Sequence, residues 1–473
     1  MTRTKIVATL GPASSTEKVI RELINSGVDV FRLNMSHGDH ASHGRLIKKV
    51  RNAENGNGAG PAAILGDLCG PKIRVGRIEG GQAVLAAGSP IILTAADITG
   101  GPERLHVSYP ALGKGMKRGM RVLLADGMFE LKVLSAGPGE VTCKVVKGGV
   151  LKQGKGVNFP GLPLDLPSLT EKDARDLEFL LREGVDFIAL SFVRQAVDVQ
   201  ALKERIKKAG KDTPVIAKIE RPEAIKNLKE IIIASDGVMV ARGDLGVEML
   251  PELVPPLQKR IIKLCNAYKK PVITATQMLE SMVWNPRPTR AEASDVAGAV
   301  FDGTDALMLS EETAAGEYPV ASVLMMDRVA REAEKYAVFP DLKAEVSGQM
   351  EAVASSACRC AEELKAKAII CFTRSGATAL LISKSRPPAA IIAATPDKRV
   401  MRKMRLYYGV IPVPIKLREN TDRIIKEVEA AALSRRLVRE GDLVILTLGV
   451  PAADSPTNLM KIHRVGERFG KAQ

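Results

Sequence analysis

The chain has 473 residues, 45% hydrophobic and 26% charged. That is the mix of a globular protein, not of collagen, a coiled coil or a disordered chain. At ~100–200 residues per domain it has room for two to four domains, and no apolar run approaches the ~20 residues of a membrane helix. Lysine and arginine outnumber aspartate and glutamate by 69 to 54, a formal charge of +15. Aromatic residues make up only 4%, which supplies few stacking platforms for single strands. With no nucleic-acid motif present, the excess reads as a basic surface or as a site for polyanionic small molecules. Nucleic acid and membrane are therefore not expected as partners. The first ten residues lack an apolar signal region, and the six cysteines form no C-x-x-C pair. A reduced, cytoplasmic setting is expected.

In chain order, short apolar runs rich in β-branched residues fall at 6–9, 28–33 and 62–65, then at 186–190, 214–217, 237–241, 271–275 and 305–309. Each ends in a polar or glycine-containing tip, usually followed by an amphipathic helix. They do not alternate strictly, as expected of parallel strands buried on both faces. Thr170 with Asp173 reads as a hydroxyl cap with an acid three residues on, and Gly184 as the stop of that helix. Pro222 and Pro251 fit first turns. Eight strands alternating with helices define a (β/α)8 TIM barrel in the α/β class.

About 100 residues interrupt the rhythm after the third run. Short strands at 83–85, 91–93, 121–124, 130–134 and 141–145, separated by Gly, Pro and Asp-Gly turns, read as a small inserted all-β domain. It is either a mobile lid over the C-terminal face of the barrel, where barrel active sites lie, or a passive insertion. After Phe339-Pro340 the runs at 368–372, 389–394, 409–414, 442–448 and 462–465 make a separate α/β domain. The expected boundaries are 1–69 and 167–340 for the barrel, 70–166 for the insert and 341–473 for the last domain.

Reading the barrel strand ends gives Asn34 and Ser36, Asp67, Ser191, Lys218 and Glu220, Gly243 and Asp244, Thr276 and Ser310. Lys218 and Glu220, two apart on a strand, face the same side. They form either a plain salt bridge or part of a site. Asp244, at the end of the neighbouring strand, favours the site. Two carboxylates completed by water and substrate oxygens suit Mg²⁺ or Mn²⁺ rather than a zinc cage. Lys218 would face whatever the metal holds and neutralise a developing oxyanion. Arg32 and Arg74 read as surface ion pairs or, near a lid and a metal, as phosphate ligands. His37, His40 and His43 cover too wide an arc to share one ion.

The residues then point to a family. The chain resembles pyruvate kinase along essentially its full length. The resemblance rests on Lys5-Ile6-Val7-Ala8-Thr9-Leu10-Gly11-Pro12-Ala13-Ser14, Phe31-Arg32-Leu33-Asn34-Met35-Ser36-His37-Gly38, Gly70-Pro71-Lys72-Ile73-Arg74, Ala217-Lys218-Ile219-Glu220, Ala241-Arg242-Gly243-Asp244-Leu245-Gly246, Ala275-Thr276-Gln277-Met278-Leu279-Glu280-Ser281-Met282 and Met308-Leu309-Ser310-Glu311-Glu312-Thr313-Ala314. Seven motifs in order, nearly all at strand ends, are specific together though weak singly.

The resemblance implies a phosphotransferase that moves the phosphoryl group of phosphoenolpyruvate to ADP, giving pyruvate and ATP. It implies that Arg32 binds the transferring group, and that Lys218 stabilises it and the enolate left behind. Glu220 and Asp244 would hold the divalent metal. Gly243, Asp244 and Thr276 would contact the substrate carboxylate, with Thr276 near the enolate's protonation route. Arg74 and Lys155 would contact nucleotide phosphates. Many members hold K⁺ with an Asn, a Ser, an Asp and the Thr after it. Here Asn34, Ser36 and Asp67 are present, Leu68 replaces the Thr, and Lys72 stands where K⁺-dependent members carry Glu. The chain is therefore similar to the K⁺-independent branch, with Lys72 as the K⁺ substitute. Glu311 replaces the usual Gly. In the last domain Thr373, Arg374, Ser375, Gly376 and Thr378 run from a strand into a helix. They read as an anion site or as ordinary capping, and the family binds phosphorylated effectors there. The stretch 451–456 departs from the family's glycine-rich loop. A homotetramer is implied. Two other readings are a Schiff-base lyase using Lys218, which would not need Glu220 and Asp244, and a non-enzymatic basic scaffold, which would tolerate Lys218→Ala and bind nucleic acid with strong salt dependence; the intact motif set argues against both.

Overall fold

The computed structural model describes residues 2–53, 60–162, 164, 166–339, 348–416, 420–449 and 457–467. The boundary expected near residue 340 and the departure at 451–456 lie outside them. Strands β1 (Lys5–Thr9), β2 (Val30–Asn34) and β3 (Ala63–Asp67) come first. The insertion then contributes β4 (Gln82–Leu85), β5 (Pro90–Thr94), β6 (Arg104–His106), β7 (Arg121–Leu124), β8 (Phe129–Gly137), β9 (Glu140–Lys147), β10 (Gly149–Lys152) and β11 (Val157–Asn158). The first sheet resumes with β12 (Phe187–Leu190), β13 (Val215–Ile219), β14 (Gly237–Ala241), β15 (Val272–Ala275) and β16 (Ala306–Leu309). It closes as a parallel barrel in the order β1, β2, β3, β12, β13, β14, β15, β16. Every residue of β1, β3, β13 and β14 is buried, which accounts for their unalternating sequences. The last domain is a five-stranded sheet of β17 (Ala368–Phe372), β18 (Ala390–Thr395), β19 (Val410–Pro414), β20 (Leu443–Leu448) and β21 (Leu459–Arg464). Its order is 19-18-17-20-21, with β21 antiparallel to β20.

The expected strands are all present: β7, β14 and β17 match residue for residue, and the others are shifted at one or both edges. The insertion holds three further strands, β6, β10 and β11, that pattern reading missed. They are two to four residues long and owe their conformation to pairing with neighbours. The helix expected after β13 is split into Pro222–Lys226 and Leu228–Ala234. Asn227 separates the two pieces, and its side-chain amide donates to Arg194 O at 2.9 Å. Pro251 opens a 3₁₀ turn, Pro251–Leu253, ahead of the helix Val254–Ala267. The helix Glu171–Glu183 has the expected reciprocal cap between Thr170 and Asp173 and ends on Gly184 at φ 71°.

A repeat at the N-terminal face explains several strand starts. Asp29, Asp186, Asp236 and Asp305 each stand one residue before a strand. Their carboxylates accept the N–H of Ile6, Ile64, Val215 and Val272 on the preceding strand, at 2.8–3.1 Å. The C-terminal domain docks against this face. Arg405 reaches Asp29 at 3.4 Å, Arg402 reaches Asp186 at 3.8 Å, and Lys384 and Arg386 both reach Asp305. Behind these pairs one apolar cluster runs from the barrel interior (Val7, Leu65, Ile216, Met239, Met308) to Leu406, Tyr407 and Ile391 of the last domain. The insertion has its own core around Leu93, Leu131 and Val141.

Gly11 follows β1, where a Cβ would lie 2.5 Å from Ala314 O. The loop after β1 thus packs directly on the helix after β16. Gly11→Ala is expected to destabilise the chain by ~1–3 kcal/mol, since a backbone must move. Gly298→Ala, in the helix Arg290–Phe301 with open space around it, is expected to stabilise by ~0.5–1 kcal/mol. Urea denaturation of the two variants measures both.

Candidate active site

The strand ends converge on one buried cluster of charge. Arg32, on β2, donates from Nε to Asp67 Oδ2 at 2.7 Å and from Nη1 to Thr9 Oγ1 at 3.2 Å. Asp67, the last residue of β3, also faces Lys218, whose Nζ lies 3.4 Å from Oδ1. Lys218 Nζ stands 2.8 Å from Glu220 Oε1 and donates to Ser191 Oγ at 2.7 Å. Ser191 in turn donates to Leu68 O at 2.7 Å. Glu220 Oε2 accepts the N–H of Phe192 at 2.7 Å. Phe192 takes φ 55° to present that N–H.

Charge inside this cluster is tightly set. Burial drives Lys218 down, but the Asp67 and Glu220 carboxylates outweigh it and hold the ammonium above its usual range. Burial drives Asp67 up, yet Lys218 and Arg32 prevail and its value is lowered. Glu220 goes the other way: burial lifts it, with the charge of Asp244 adding and that of Lys218 opposing. Asp244 lies in the first turn of the helix Arg242–Glu248, directly after β14. β14 pairs with β13, Lys218 opposite Met239, so Glu220 and Asp244 sit on adjacent strand ends.

The segment after β15 is strained. Thr276 and Gln277 have φ 71° and 54°, two consecutive left-handed residues without glycine, a conformation that persists only when neighbours fix it. Arg242 does so, donating to Ala275 O and Thr276 O at 2.6–3.2 Å while Asp295 holds its other nitrogen at 2.7 Å. Thr276 Oγ1 accepts the N–H of Gly243 at 2.7 Å. Glu312 orders the next strand end, accepting from Leu279 N at 3.1 Å and Ser310 N at 2.7 Å. Glu311 beside it is exposed at the helix start.

The insertion begins at Gly70, which takes φ 69° and where a Cβ would strike the Phe192 ring at 2.7 Å. Its N–H is held by Asp173 Oδ1 at 3.1 Å. Lys72 is exposed and Leu68 buried. Asn34 Oδ1 accepts the N–H of Ser36 at 3.1 Å. Beside them, loss of water and the positive charges of Lys72, Arg74 and Arg32 push His37 below its usual value. Arg74 donates to Gly154 O at 2.7 Å, next to the exposed Lys155. The return segment is fastened by Arg221, which donates to Leu162 O at 3.1 Å and to Glu248 Oε1 at 2.6 Å, and by Arg194, which donates to Leu164 O and Leu166 O at 2.6–2.7 Å. Asn158 donates to the same Glu248 oxygen at 3.0 Å.

The three histidines part company. His40 contacts Asp176 at 2.7 Å, and His43 Nε2 lies 2.8 Å from His37 O. In the last domain, far from the barrel rim in sequence, Thr373 Oγ1 accepts the N–H of Gly376 at 2.9 Å. Ser375 Oγ accepts the N–H of Ala377 at 3.4 Å, and Thr378 meets Thr457 at 2.6 Å. Arg374 is exposed. Sequence reading missed Thr9, Phe192, Arg194, Arg221, Arg242 and Glu248. The backbone N–H of Phe192 carries no residue signal, but Arg242 lies inside a motif already singled out and is legible as a clamp only once its carbonyl partners are seen.

A closed parallel barrel with its polar cluster at the C-terminal strand ends under an inserted β domain is the architecture of a barrel enzyme. The family model "Pyruvate kinase, barrel domain" matches residues 1–323, and "Pyruvate kinase, alpha/beta domain" matches residues 351–463. A pyruvate kinase of Staphylococcus saprophyticus is 45% identical over the whole chain and 82% of its own length, and one of Geobacillus stearothermophilus matches equally. The crystal structure of a pyruvate kinase from Cryptosporidium parvum superposes with TM-score 0.93 at 39% identity, covering 98% of this chain and 96% of that one. The chain belongs to the pyruvate kinase family and is a kinase of glycolysis.

Asp67 is the anion on which Arg32 and Lys218 both depend. Asp67→Asn is expected to cost about 3–5 kcal/mol at neutral pH, because two buried cations lose their shared partner. The carboxylate's folded value is lowered from an ordinary 3.8, so its contribution is complete above that pH and is lost as pH falls below it. Urea denaturation at pH 7 and pH 3 is expected to show a wide gap between wild type and variant that narrows in acid.

Proposed function

We propose that this rim transfers the phosphoryl group of phosphoenolpyruvate to ADP, and the buried Asp67–Lys218–Glu220 cluster is the observation that carries the residue roles. A β-phosphate oxygen of ADP attacks phosphorus, the bond to the enol oxygen breaks, and the enolate takes up a proton to give pyruvate. Such transfer is governed by positioning and charge neutralisation. Arg32, oriented by Asp67, binds the transferring group. Lys218, kept protonated by two carboxylates, stabilises that group and the enolate oxygen. Gly243, Asp244 and Thr276 receive the substrate carboxylate, and Thr276 Oγ1 lies on the enolate's protonation route. Arg74 and Lys155 contact nucleotide phosphates from the lid side.

Glu220 and Asp244 are assigned to a divalent cation, Mg²⁺ or Mn²⁺. Glu220 Oε1 is buried and has no partner beyond the Lys218 ammonium 2.8 Å away, and no group of three or more His, Cys, Asp or Glu ligands exists among the described residues. An oxygen-rich pair that leaves positions for substrate fits these ions. When bound, the cation would draw charge from the enolate and phosphoryl oxygens as a Lewis acid. The cavity between insertion and rim, next to Lys72, Asn158 and Asp244, measures only ≈40 Å³, against ~300 Å³ or more for an ordinary ligand pocket. We therefore read the insertion as a lid that must shift for nucleotide to enter that slot. The domain boundaries proposed with it are 69/70, 166/167 and 340/341.

The same reading makes the enzyme independent of K⁺, Lys72 supplying the charge near Asn34, Ser36, Asp67 and Leu68. It makes Thr373, Arg374, Ser375, Gly376 and Thr378 the seat of a phosphorylated effector. It places the enzyme in the cytoplasm as a homotetramer, in which exposed apolar groups such as Trp284, 67% exposed, would be covered.

Pyruvate formation with Mg²⁺ in a buffer free of K⁺ and NH₄⁺ tests the proposal. Wild type is expected to be active, and Lys218→Met to lose ~10²–10³-fold or more, the weight of a removed charge stabiliser. Leu68→Thr with Lys72→Glu is expected to become K⁺-dependent. A strong K⁺ requirement in wild type at saturating substrate would discard the assignment of Lys72. A sugar phosphate or nucleotide monophosphate is expected to lower the half-saturation for phosphoenolpyruvate, and no shift across such a panel would remove the effector site.

A further inference from the structure

A second cavity lies away from the rim. It lies at the opposite end of the barrel, between the barrel's N-terminal face and the C-terminal domain, and measures ≈1220 Å³. Nine basic side chains line it against four acidic ones. Two of the basic lining residues, Lys384 and Arg386, share a carboxylate buried behind the wall. Asp305, 1% exposed, is shared by Lys384, 2% exposed, and Arg386, 5% exposed. One carboxylate therefore faces two cations, away from bulk water.

Arg386 is built in firmly. It takes a left-handed φ of 49°. Its Nη2 donates to Gly303 O at 2.7 Å and Asp305 Oδ1 at 2.9 Å. The guanidinium lies over the Tyr408 ring, 3.7 Å from its centre, with Phe339 at 5.2 Å. Its Nη1 is buried with no hydrogen-bond partner among the described residues. Arg386 is itself one of the residues that line the cavity. Lys263, from the barrel, and Arg359, from the last domain, both line the cavity, are exposed and have no acidic partner among the described residues.

We propose that this interdomain cleft binds a small phosphate monoester. Its anion would sit against Arg386, with Lys263 from the barrel and Arg359 from the last domain supplying charge from either side. Forked guanidinium donors match phosphate oxygens, and the cavity exceeds the ~300–1,000 Å³ of ordinary small-molecule sites. The surplus charge of the chain then has a local purpose. A ligand held by both domains would stiffen their junction, on the face of the barrel opposite the chemistry.

Isothermal titration calorimetry of the full-length protein with glycerol 2-phosphate, and with glycerol as the uncharged control, tests this. Wild type is expected to bind the phosphate ester and not glycerol. Reversing both exposed charges, Lys263→Glu with Arg359→Glu, is expected to weaken binding at least about tenfold, the weight of a charge-assisted hydrogen bond. Arg374→Ala and Lys218→Met are expected to bind as wild type does. No heat with wild type would overturn the proposal. So would binding unchanged in the double variant, or binding lost in Arg374→Ala or Lys218→Met alone, which would locate the anion at the effector loop or the rim. An Arg386→Met variant that folds and binds with wild-type affinity would overturn the assignment of that guanidinium.

Discussion

Asp67 is a single buried carboxylate that two cations share. Arg32 holds one of its oxygens and Lys218 faces the other. An isolated buried charge is unaffordable in a protein interior, but one charge that anchors two others lets all three remain ionised. The consequence runs outward. Lys218 stays protonated in a place where burial alone would strip its proton, Glu220 is drawn against it, and Ser191 is oriented by both Lys218 and Leu68 O. The rim owes its fixed positive charge to an acid buried beneath it.

The insertion is coupled to that cluster by backbone rather than by charge. Gly70 must be glycine, since Phe192 occupies the space of its Cβ, and Phe192 offers its N–H to Glu220. The chain entering the insertion thus leans on a residue that also orients a proposed metal ligand. At the return, Arg194 and Arg221 bind the main-chain carbonyls of Leu162, Leu164 and Leu166. Both crossings between insertion and barrel are therefore tied to the ends of β12 and β13.

The barrel was legible because its strands are short apolar runs with polar tips, and a strand buried on both faces has no other way to look. The rim was legible for the same reason: a polar residue directly after such a run has few places to point except the strand end. What stayed hidden depends on three-dimensional partners. β6, β10 and β11 are too short to show a period. The left-handed pair Thr276–Gln277 carries no glycine to announce it. Arg242 reads as one more basic residue until Ala275 O and Thr276 O are seen on its guanidinium. The aspartate before β2, β12, β14 and β16 was present as a repeat in the sequence. Its meaning, a cap on the neighbouring strand and, at Asp29, Asp186 and Asp305, a socket for the last domain, is a property of the closed barrel.

The pairing of β3 with β12 sets the order in which this protein can assemble. Ala189 stands opposite Asp67, and the whole insertion lies between them in sequence. Closing a long flexible loop costs conformational entropy and slows folding. The insertion removes much of that cost once it is folded, because Val157 N binds Ile73 O at 2.9 Å and brings its two ends together. The chain between the two barrel strands then behaves as a short connection. The element that sits over the candidate site is thus also the one that shortens the connection between these two barrel strands.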